Sequence, residues 1–162
     1  TDTNIYLDWD NCPYHTGSSC WTKYIPSDKS SYWSGSGNPD NKTVLDLEDD
    51  VAHVKLGGKW RMPTNEEFSE LVDNCLWEWA TYQGINGRMV YCFETGNNIF
   101  LPAAGYRSND SLHYVGSDGY YWSSSLYTDD PRDAYELGFG SGGVSTHSYY
   151  RYCGPSVRPV SE

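Results

Sequence analysis

The side chains that could support catalysis are few and lie far apart in the sequence. The serine run 123–125 lacks the G-x-S-x-G turn that activates a serine nucleophile. Two carboxylate pairs, Glu66-Glu67 and Asp49-Asp50, match the paired acids of glycosidases in residue type, but each lies where a helix is predicted to begin. The histidines, which show no metal-ligand spacing, are His15, His53, His113 and His147. These residues do not predict an enzyme.

Cysteine and metal chemistry are also limited. Five cysteines cannot all pair within one chain. Cys12 could pair with Cys20 and Cys75 with Cys92, or all five could be free thiols; Cys153 is the one left over. No pair has C-x-x-C spacing, so a structural zinc site is not predicted. Oxygen donors that could hold a structural calcium ion are Asp8, Asp10, Asn109, Asp110, Asp118 and Asp129-Asp130. No other cofactor is predicted.

Recognition is favoured instead by the composition of the closing segment. Residues 126–155 are rich in Tyr, Gly, Ser and Asp, and contain no Lys, Gln, Asn, Met, Ile or Trp. Tyrosine supplies rigid amphipathic contacts, whereas glycine and serine adapt to a partner. An edge hairpin without a partner would have the same composition. A series of solvent-facing tyrosines nevertheless favours a binding surface.

Strand alternation should position these side chains. Tyr135, Leu137 and Phe139 occupy every second position, which is typical of a half-buried strand. The residues on the opposite face are then Glu136, Gly138 and Gly140. We expect the following run to return beside this strand and the loop 105–114 to border it, forming one shallow site.

Helix signals are concentrated in the first half of the chain. A short helix is predicted over residues 47–56. In the next one, Thr64 is the N-cap and Glu67 completes a capping box. Its apolar face is predicted to be Phe68, Leu71, Val72 and Cys75. Short strands follow, so we expect an α+β domain with two helices on a small, twisted antiparallel sheet and many loops. The predicted core is Trp60, Phe68, Leu71, Val72, Leu101, Trp122, Leu137, Phe139, Val144 and Val157.

Length and charge narrow the class of protein. The 162 residues suit one domain, with a loop-rich part over 1–41. A net charge of -11 argues against binding to nucleic acid or to anionic membranes. No apolar run approaches the roughly 20 residues needed to cross a bilayer, so membrane insertion is not predicted. The chain begins at Thr1 without a signal sequence, and we expect any export signal to have been removed.

Four segments in order carry a resemblance to a known family. They are GKWRMPTNEEF (58–68), IFLPAAGYR (99–107), GYYWSSS (119–125) and SVRPV (156–160). Over residues 42–160 the chain resembles the Fibrobacter succinogenes major paralogous domain, of the C-type-lectin-like, formylglycine-generating-enzyme-like fold. The resemblance implies that fold, and a place on secreted or surface proteins of gut Bacteroidetes or their phages.

The chain departs from the active members of this fold. Sugar-binding C-type lectins hold calcium with an E-P-N or Q-P-D motif and a later W-N-D, and none of these is present. Formylglycine-generating enzymes need a reactive cysteine pair near the C-terminus, where this chain has only Cys153. A modifying enzyme is therefore the weakest alternative.

Outward positions of the closing segment often carry asparagine in relatives of this family. Here they are Glu136, Gly138, Gly140, Gly143, Ser145, His147, Ser148, Tyr149, Tyr150, Tyr152, Cys153 and Pro155. Nearly all are reachable from an Asn codon by changing its adenines, Glu136 being the exception. This pattern resembles the variable proteins of diversity-generating retroelements. Divergence among paralogues would give a similar pattern.

The sequence thus predicts a non-enzymatic adhesin or receptor-binding domain, extracellular, on a cell surface or virion. Its partner would be a protein or glycan on another cell. The predicted ligand-binding residues are Glu136, Gly138, Gly140, Ser145, His147, Tyr149, Tyr150, Tyr152, Cys153, Pro155, Arg107, Asn109, His113 and Tyr114. The main alternative is a structural surface domain without a specific ligand.

Overall fold

Strands dominate the architecture. The computed structural model describes residues 15–16 and 20–161, with 42% strand and 15% helix. The strands are β1 (His15–Thr16), β2 (Cys20–Trp21), β3 (Trp60–Arg61), β4 (Cys75–Tyr82), β5 (Ile85–Cys92), β6 (Asn98–Pro102), β7 (Tyr106–Ser108), β8 (Ser111–His113), β9 (Gly119–Leu126), β10 (Asp133–Phe139), β11 (Val144–Tyr150) and β12 (Val160–Ser161). The helices are α1 (Val51–Leu56), α2 (Asn65–Asn74) and a 3-10 helix at Ser27–Tyr32. The α+β prediction is therefore wrong: the fold is β-rich, built from several small antiparallel sheets.

The second helix forms as its capping signal predicts. Thr64 Oγ1 accepts from the Glu67 N–H at 3.2 Å, and Glu67 Oε2 accepts from the Thr64 N–H at 2.8 Å. The Arg61 guanidinium donates to both oxygens of Glu67 at 2.7 Å, which lowers the pKa of that carboxyl. Phe68 is buried in the core. Cys75, which the periodicity assigned to this helix, instead begins β4.

The first helix is shorter than predicted, because it begins at Val51 rather than Leu47. Asp50 is its N-cap, accepting from the Ala52 N–H at 2.8 Å and the His53 N–H at 3.1 Å. Its other oxygen accepts from the Met62 N–H at 2.7 Å. Asp50 thus caps the helix from the position before it and does not lie in its first turn, as the predicted helix over 47–56 would have placed it.

Two three-stranded sheets, ordered β4-β5-β6 and β11-β10-β9, form the body of the domain. Residues from both sheets and from α2 make one apolar core, comprising Phe68, Val90, Leu101, Ala103, Tyr121, Leu137 and Phe139. The buried guanidinium of Arg88 on β5 joins the sheets, donating to the Gly140 carbonyl at 2.7 and 3.0 Å. Residues 85–88 (INGR) have the sequence of a hairpin turn, but they lie in β5; the chain turns at Gln83 and Gly84, both with positive φ.

Alternation along β10 follows the sequence pattern. Leu137 is fully buried and Phe139 is 4% exposed, both in the core. Glu136 and Gly138 point to the other face, yet they too are buried. Another element must therefore cover that face of the sheet.

The two tryptophans predicted for the core, Trp60 and Trp122, differ in burial. Trp60 is 42% exposed, so its assignment to the core is wrong: it lies on the short pair β3–β12. Trp122 is half-buried and its indole donates to the Cys153 carbonyl at 3.4 Å. A separate cluster forms around Trp21 and Ile25, against which Tyr32, Trp33 and Tyr152 pack. No helix among residues 15–16 and 20–161 is long and apolar enough to cross a membrane.

The thiols of Cys20, Cys75, Cys92 and Cys153 are all free. Cys75 and Cys92 lie directly opposite each other on β4 and β5. The proposed partner of Cys20, Cys12, lies outside the described residues.

Candidate functional site

Pairing register brings the predicted residues onto one face of the sheet β11-β10-β9. Glu136 on β10 lies opposite Trp122 on β9 and His147 on β11. Gly138 lies opposite Tyr120 and Ser145. Side chains of directly opposed residues project to the same side of an antiparallel sheet. These positions therefore share the face opposite Leu137 and Phe139.

The hairpin β7–β8 covers this face with aromatic rings. The Tyr106 ring lies 5.1 Å from the ring of His113, 5.3 Å from that of Tyr120 and 5.4 Å from that of Tyr149. The hydroxyl oxygens of Tyr106 and Tyr149 are 3.1 Å apart. The loop 105–114 and the closing segment thus meet, as the sequence predicted.

Backbone geometry fixes this hairpin against the sheet. Gly105 has φ +64°, and a Cβ there would lie 1.9 Å from the His113 carbonyl oxygen, so only glycine fits. Arg107 pairs with Gly154 through two backbone hydrogen bonds, of 3.0 and 2.8 Å. Arg107 therefore connects the two segments through its main chain.

Between the hairpin and the sheet lies a cleft of about 220 Å³. It is lined by Tyr106, Tyr114, Tyr120, Tyr149 and Glu136. Tyr114 is 58% exposed and forms part of its rim. Four tyrosines and one carboxyl group, each from a different strand or loop, thus line one cavity, which we name the tyrosine cleft.

Glu136 is the unusual group in the tyrosine cleft. Glu136 is only 3% exposed, and its Oε2 has no hydrogen-bond partner among the described residues. Burial raises the pKa of this carboxyl to about 7. An unpartnered buried carboxyl is costly, and such groups occur more often at functional sites than elsewhere.

A shallower hollow of about 170 Å³ adjoins the cleft and shares Tyr120 with it. Its walls are Asp118, Tyr120, Gly138, Phe139, Gly140, Gly143, Ser145 and His147. Ser145 Oγ and His147 Nε2 are 2.8 Å apart. A Cβ at Gly138 would lie 3.0 Å from the His147 ring, so glycine here lets the imidazole lie low on the sheet.

Four of the predicted site residues lie elsewhere. The rings of Tyr150 and Tyr152 stack at 5.3 Å, and Tyr152 packs on the cluster around Trp21, away from the cleft lining. Cys153 and Pro155 are buried, so a ligand on the surface does not meet their side chains. Burial also raises the pKa of the Cys153 thiol to about 11.

The predicted site residues His113 and Asn109 lie in different surroundings. His113 stacks on Tyr106 behind the cleft, while Asn109 is exposed at the turn of the hairpin with φ +49°. Tyr106, Tyr120 and Asp118 also line the cleft or the hollow, although they were not among the predicted ligand-binding residues. Tyr106 lies inside the predicted bordering loop, and Tyr120 begins a predicted strand. Only the pairing between distant strands shows that both face Glu136.

Among the described residues, the predicted aspartate ligands of calcium form no cluster. Asp8 and Asp10 lie outside the described residues, and Asp110, Asp118, Asp129 and Asp130 join no acidic cluster in the described ranges. Over those ranges one such cluster exists, formed by Asp46, Glu48 and Asp49. Lys23 Nζ lies 3.1 Å from Glu48 and 2.8 Å from Asp49, and Lys42 pairs with Asp46. These two ammonium groups already offset most of the negative charge of the three carboxylates.

A second cavity of about 220 Å³ is lined mainly by apolar groups, together with Ser123, Ser124 and Ser125. Each hydroxyl is bonded to the backbone: those of Ser123 and Ser124 donate to the Tyr135 and Pro63 carbonyls, and that of Ser125 accepts from the Asn65 N–H. All three serine hydroxyls therefore already have a hydrogen-bond partner in the protein. The tyrosine cleft is therefore the better candidate site.

Comparison with known proteins identifies the family. The sequence model of the Lcl C-terminal domain matches residues 1–161, so the chain belongs to the Lcl C-terminal domain family. No curated protein and no solved structure is significantly similar to the chain.

Proposed function

We propose that this member of the Lcl C-terminal domain family is a non-enzymatic ligand-binding domain of a cell-surface or phage protein. Its partner is a protein or glycan on another cell, bound at the tyrosine cleft and the adjoining hollow. The observation that carries this proposal is the convergence of Tyr106, Tyr114, Tyr120 and Tyr149 around the buried Glu136. The resemblance to the Fibrobacter succinogenes major paralogous domain supports the surface location.

The shape and composition of this face suit recognition. Partly exposed tyrosines offer large apolar area and a polar hydroxyl at low conformational cost. The neighbouring Gly138, Gly140 and Gly143 leave the hollow open for a partner's side chains. Aromatic anchors surrounded by low relief are typical of binding hot spots.

The properties of Cys153 favour binding over catalysis. A cysteine nucleophile reacts as the thiolate and needs access to substrate. Burial keeps the Cys153 thiol protonated at neutral pH, since its pKa is about 11. The formylglycine-generating alternative therefore has little support from this residue.

We further propose that a diversity-generating retroelement varies this face. Of the positions that are reachable from an asparagine codon, six line the cleft or the hollow: Gly138, Gly140, Gly143, Ser145, His147 and Tyr149. Variation at these positions would change the ligand while leaving the core on the other face intact. A reverse-transcriptase gene beside a near-copy of the closing segment is the expected genomic observation. Its absence from the locus would contradict this part of the proposal.

The binding function is tested with the labelled chain on a panel of intact gut Bacteroidetes cells, measured by flow cytometry. We expect some strains to bind, and Tyr114→Ser and Tyr149→Ser each to weaken binding at least tenfold. Phe93→Ser is the control, because Phe93 is 67% exposed but lies beyond the end of β5 in the other sheet. Equal binding by all variants would favour a structural surface domain.

A further inference from the structure

The charge balance of the tyrosine cleft is incomplete. Glu136 makes no salt bridge with any Lys, Arg or His of the described ranges, and its Oε2 accepts no hydrogen bond there. Desolvation without a compensating cation leaves the carboxylate form unfavourable. A cationic ligand would supply the missing charge and the missing donor together.

The surrounding rings are suited to the same kind of ligand. The faces of aromatic rings attract cations, and tyrosine hydroxyl oxygens accept hydrogen bonds. Tyr120 reaches Glu136 from β9, Tyr149 from β11, and Tyr106 and Tyr114 from the β7–β8 hairpin and its end. The chain as a whole carries a net charge of -11, which attracts basic partners over a distance.

We infer that the tyrosine cleft binds the ammonium group of a lysine side chain from a basic protein partner, with Glu136 as the counter-ion. This inference rests on the proposed binding function and names its ligand chemistry. The cleft, at about 220 Å³, is smaller than the sites of drug-sized ligands, which are about 300 Å³ or more. It can hold the end of one side chain.

Two other cations fit less well. A guanidinium presents a rigid planar fork of donors, whereas four tyrosines from different elements surround the Glu136 carboxyl, an arrangement that suits the three rotatable donors of a compact ammonium group. The ammonium of an amino sugar is attached directly to the ring. It lacks the flexible stem needed to pass the Tyr114 rim.

Binding of a cation should depend on pH. A bound ammonium favours the carboxylate, so affinity rises as pH rises through the pKa of Glu136, which is about 7 in the free protein. Other titratable groups near this carboxyl are Tyr106, Tyr114, Tyr120, Tyr149, Cys153 and, directly opposite on β11, His147. Protonation of His147 would also repel a cation, and His147→Gln separates the two contributions.

The probe is n-butylammonium chloride, added to the ¹⁵N-labelled chain at constant ionic strength and followed by NMR. We expect shifts centred on Glu136, Tyr120 and Tyr149 at pH 8, and affinity at least tenfold lower for 1-butanol, for Glu136→Gln and for wild type at pH 5. The pH dependence should persist in His147→Gln. Circular dichroism of Glu136→Gln checks folding, and the 1-butanol and pH comparisons use the wild-type chain alone.

Macromolecular sources are compared by adding a lysine-containing peptide, the same peptide with acetyl-lysine, an arginine peptide and glucosamine. The lysine peptide should bind most tightly. Equal affinity for n-butylammonium and 1-butanol, or tighter binding of the arginine peptide or glucosamine, would overturn the inference. Cell binding that still depends on Tyr114 and Tyr149 would then leave the proposed function standing. Ammonium binding without cell binding would support the inferred ligand chemistry and contradict the proposed function.

Discussion

The hydroxyl oxygens of Tyr106 and Tyr149 lie 3.1 Å apart and join the β7–β8 hairpin to the closing strand β11. This hydrogen bond, with burial, raises the pKa of Tyr149. The two residues are 43 positions apart, so the bond links segments that the sequence could only suggest were neighbours. It closes one side of the tyrosine cleft.

A double-mutant cycle measures this link. Tyr106→Phe and Tyr149→Phe should each destabilise the fold, while the double variant loses less than their sum, with a coupling of about 1 kcal/mol. Urea unfolding provides the free energies. As a control, Tyr106→Phe combined with Tyr127→Phe should be additive, since Tyr127 packs on Tyr135 outside the cleft. Additivity in both pairs would show that the hydroxyls do not interact.

Close packing of Gly119 against Phe139 allows a second prediction. These residues lie opposite each other on β9 and β10, and a Cβ on Gly119 would lie 2.2 Å from the Phe139 ring. Gly119→Ala should therefore destabilise the fold by about 1–3 kcal/mol through overpacking.

Gly142→Ala is the matched control, because a Cβ there meets nothing within 4 Å. It should change stability by no more than about 0.5 kcal/mol. Adding Phe139→Leu to Gly119→Ala should recover part of the loss, because the smaller side chain makes room. A neutral Gly119→Ala would show that the strands separate easily at this point.

The sequence predicted those features that depend on short-range rules. The capping box of Thr64 and Glu67 and the burial of Leu137 and Phe139 follow from neighbouring residues alone. The fold class could not be predicted in the same way. Cys75 fitted the apolar face of the predicted helix, so the sequence did not indicate that β4 begins there and pairs with β5 along its whole length.

In the candidate site too, the sequence predicted what depends on neighbouring residues but not what depends on distant contacts. Alternation placed Glu136 and Gly138 on the correct face, but it could not show that Tyr106 and Tyr120 would cover them. Those contacts arise from the register of β9 with β10 and from the docking of the hairpin. Glu136 was accordingly expected at an exposed surface and lies instead at the buried base of a cleft.

Cys75 and Cys92 occupy a cross-strand position that permits a disulfide. The Phe93 N–H donates to the Asn74 carbonyl at 3.1 Å, so the adjacent pair Cys75–Cys92 is of the non-hydrogen-bonded type. In such pairs the Cα atoms are about 4.5 Å apart, within the disulfide range. Hydrogen bonds from Thr95 lower the pKa of Cys92, whereas burial raises that of Cys75.

Oxidised glutathione should therefore convert this pair to a disulfide. The Cys92 thiolate attacks one glutathione sulfur and releases one glutathione, and Cys75 then displaces the second, so two thiols are oxidised as one disulfide is reduced. Mass spectrometry should show the loss of two hydrogens and a peptide linked through Cys75 and Cys92. The disulfide should raise the free energy of unfolding by up to about 3 kcal/mol. Cys92→Ser should remove the link. A stable glutathione adduct on Cys92 alone would contradict the geometry.

Glu136 makes the unfolding free energy of the ligand-free chain depend on pH. The pKa of its carboxyl is about 7 in the folded chain, against an ordinary value of 4.5. Between these values the folded chain binds more protons than the unfolded chain, so stability falls as pH rises through this range. Above pH 7 the loss reaches at most about 3 kcal/mol, from 1.36 kcal/mol for each pKa unit.

Glu136→Gln tests this dependence, because the amide has nearly the same shape but does not titrate. Urea unfolding of both proteins is measured from pH 4 to pH 8. In the difference between the two, the contributions of the other titrating groups, including the half-buried Asp133, cancel. The variant should gain stability relative to wild type as pH rises, with most of the change between pH 5 and pH 7. Any constant offset reflects packing of the amide and does not enter the test. If the difference in unfolding free energy between the two proteins does not change across this range, Glu136 ionises without a cost in stability. The charge of the cleft would then not require a cationic ligand.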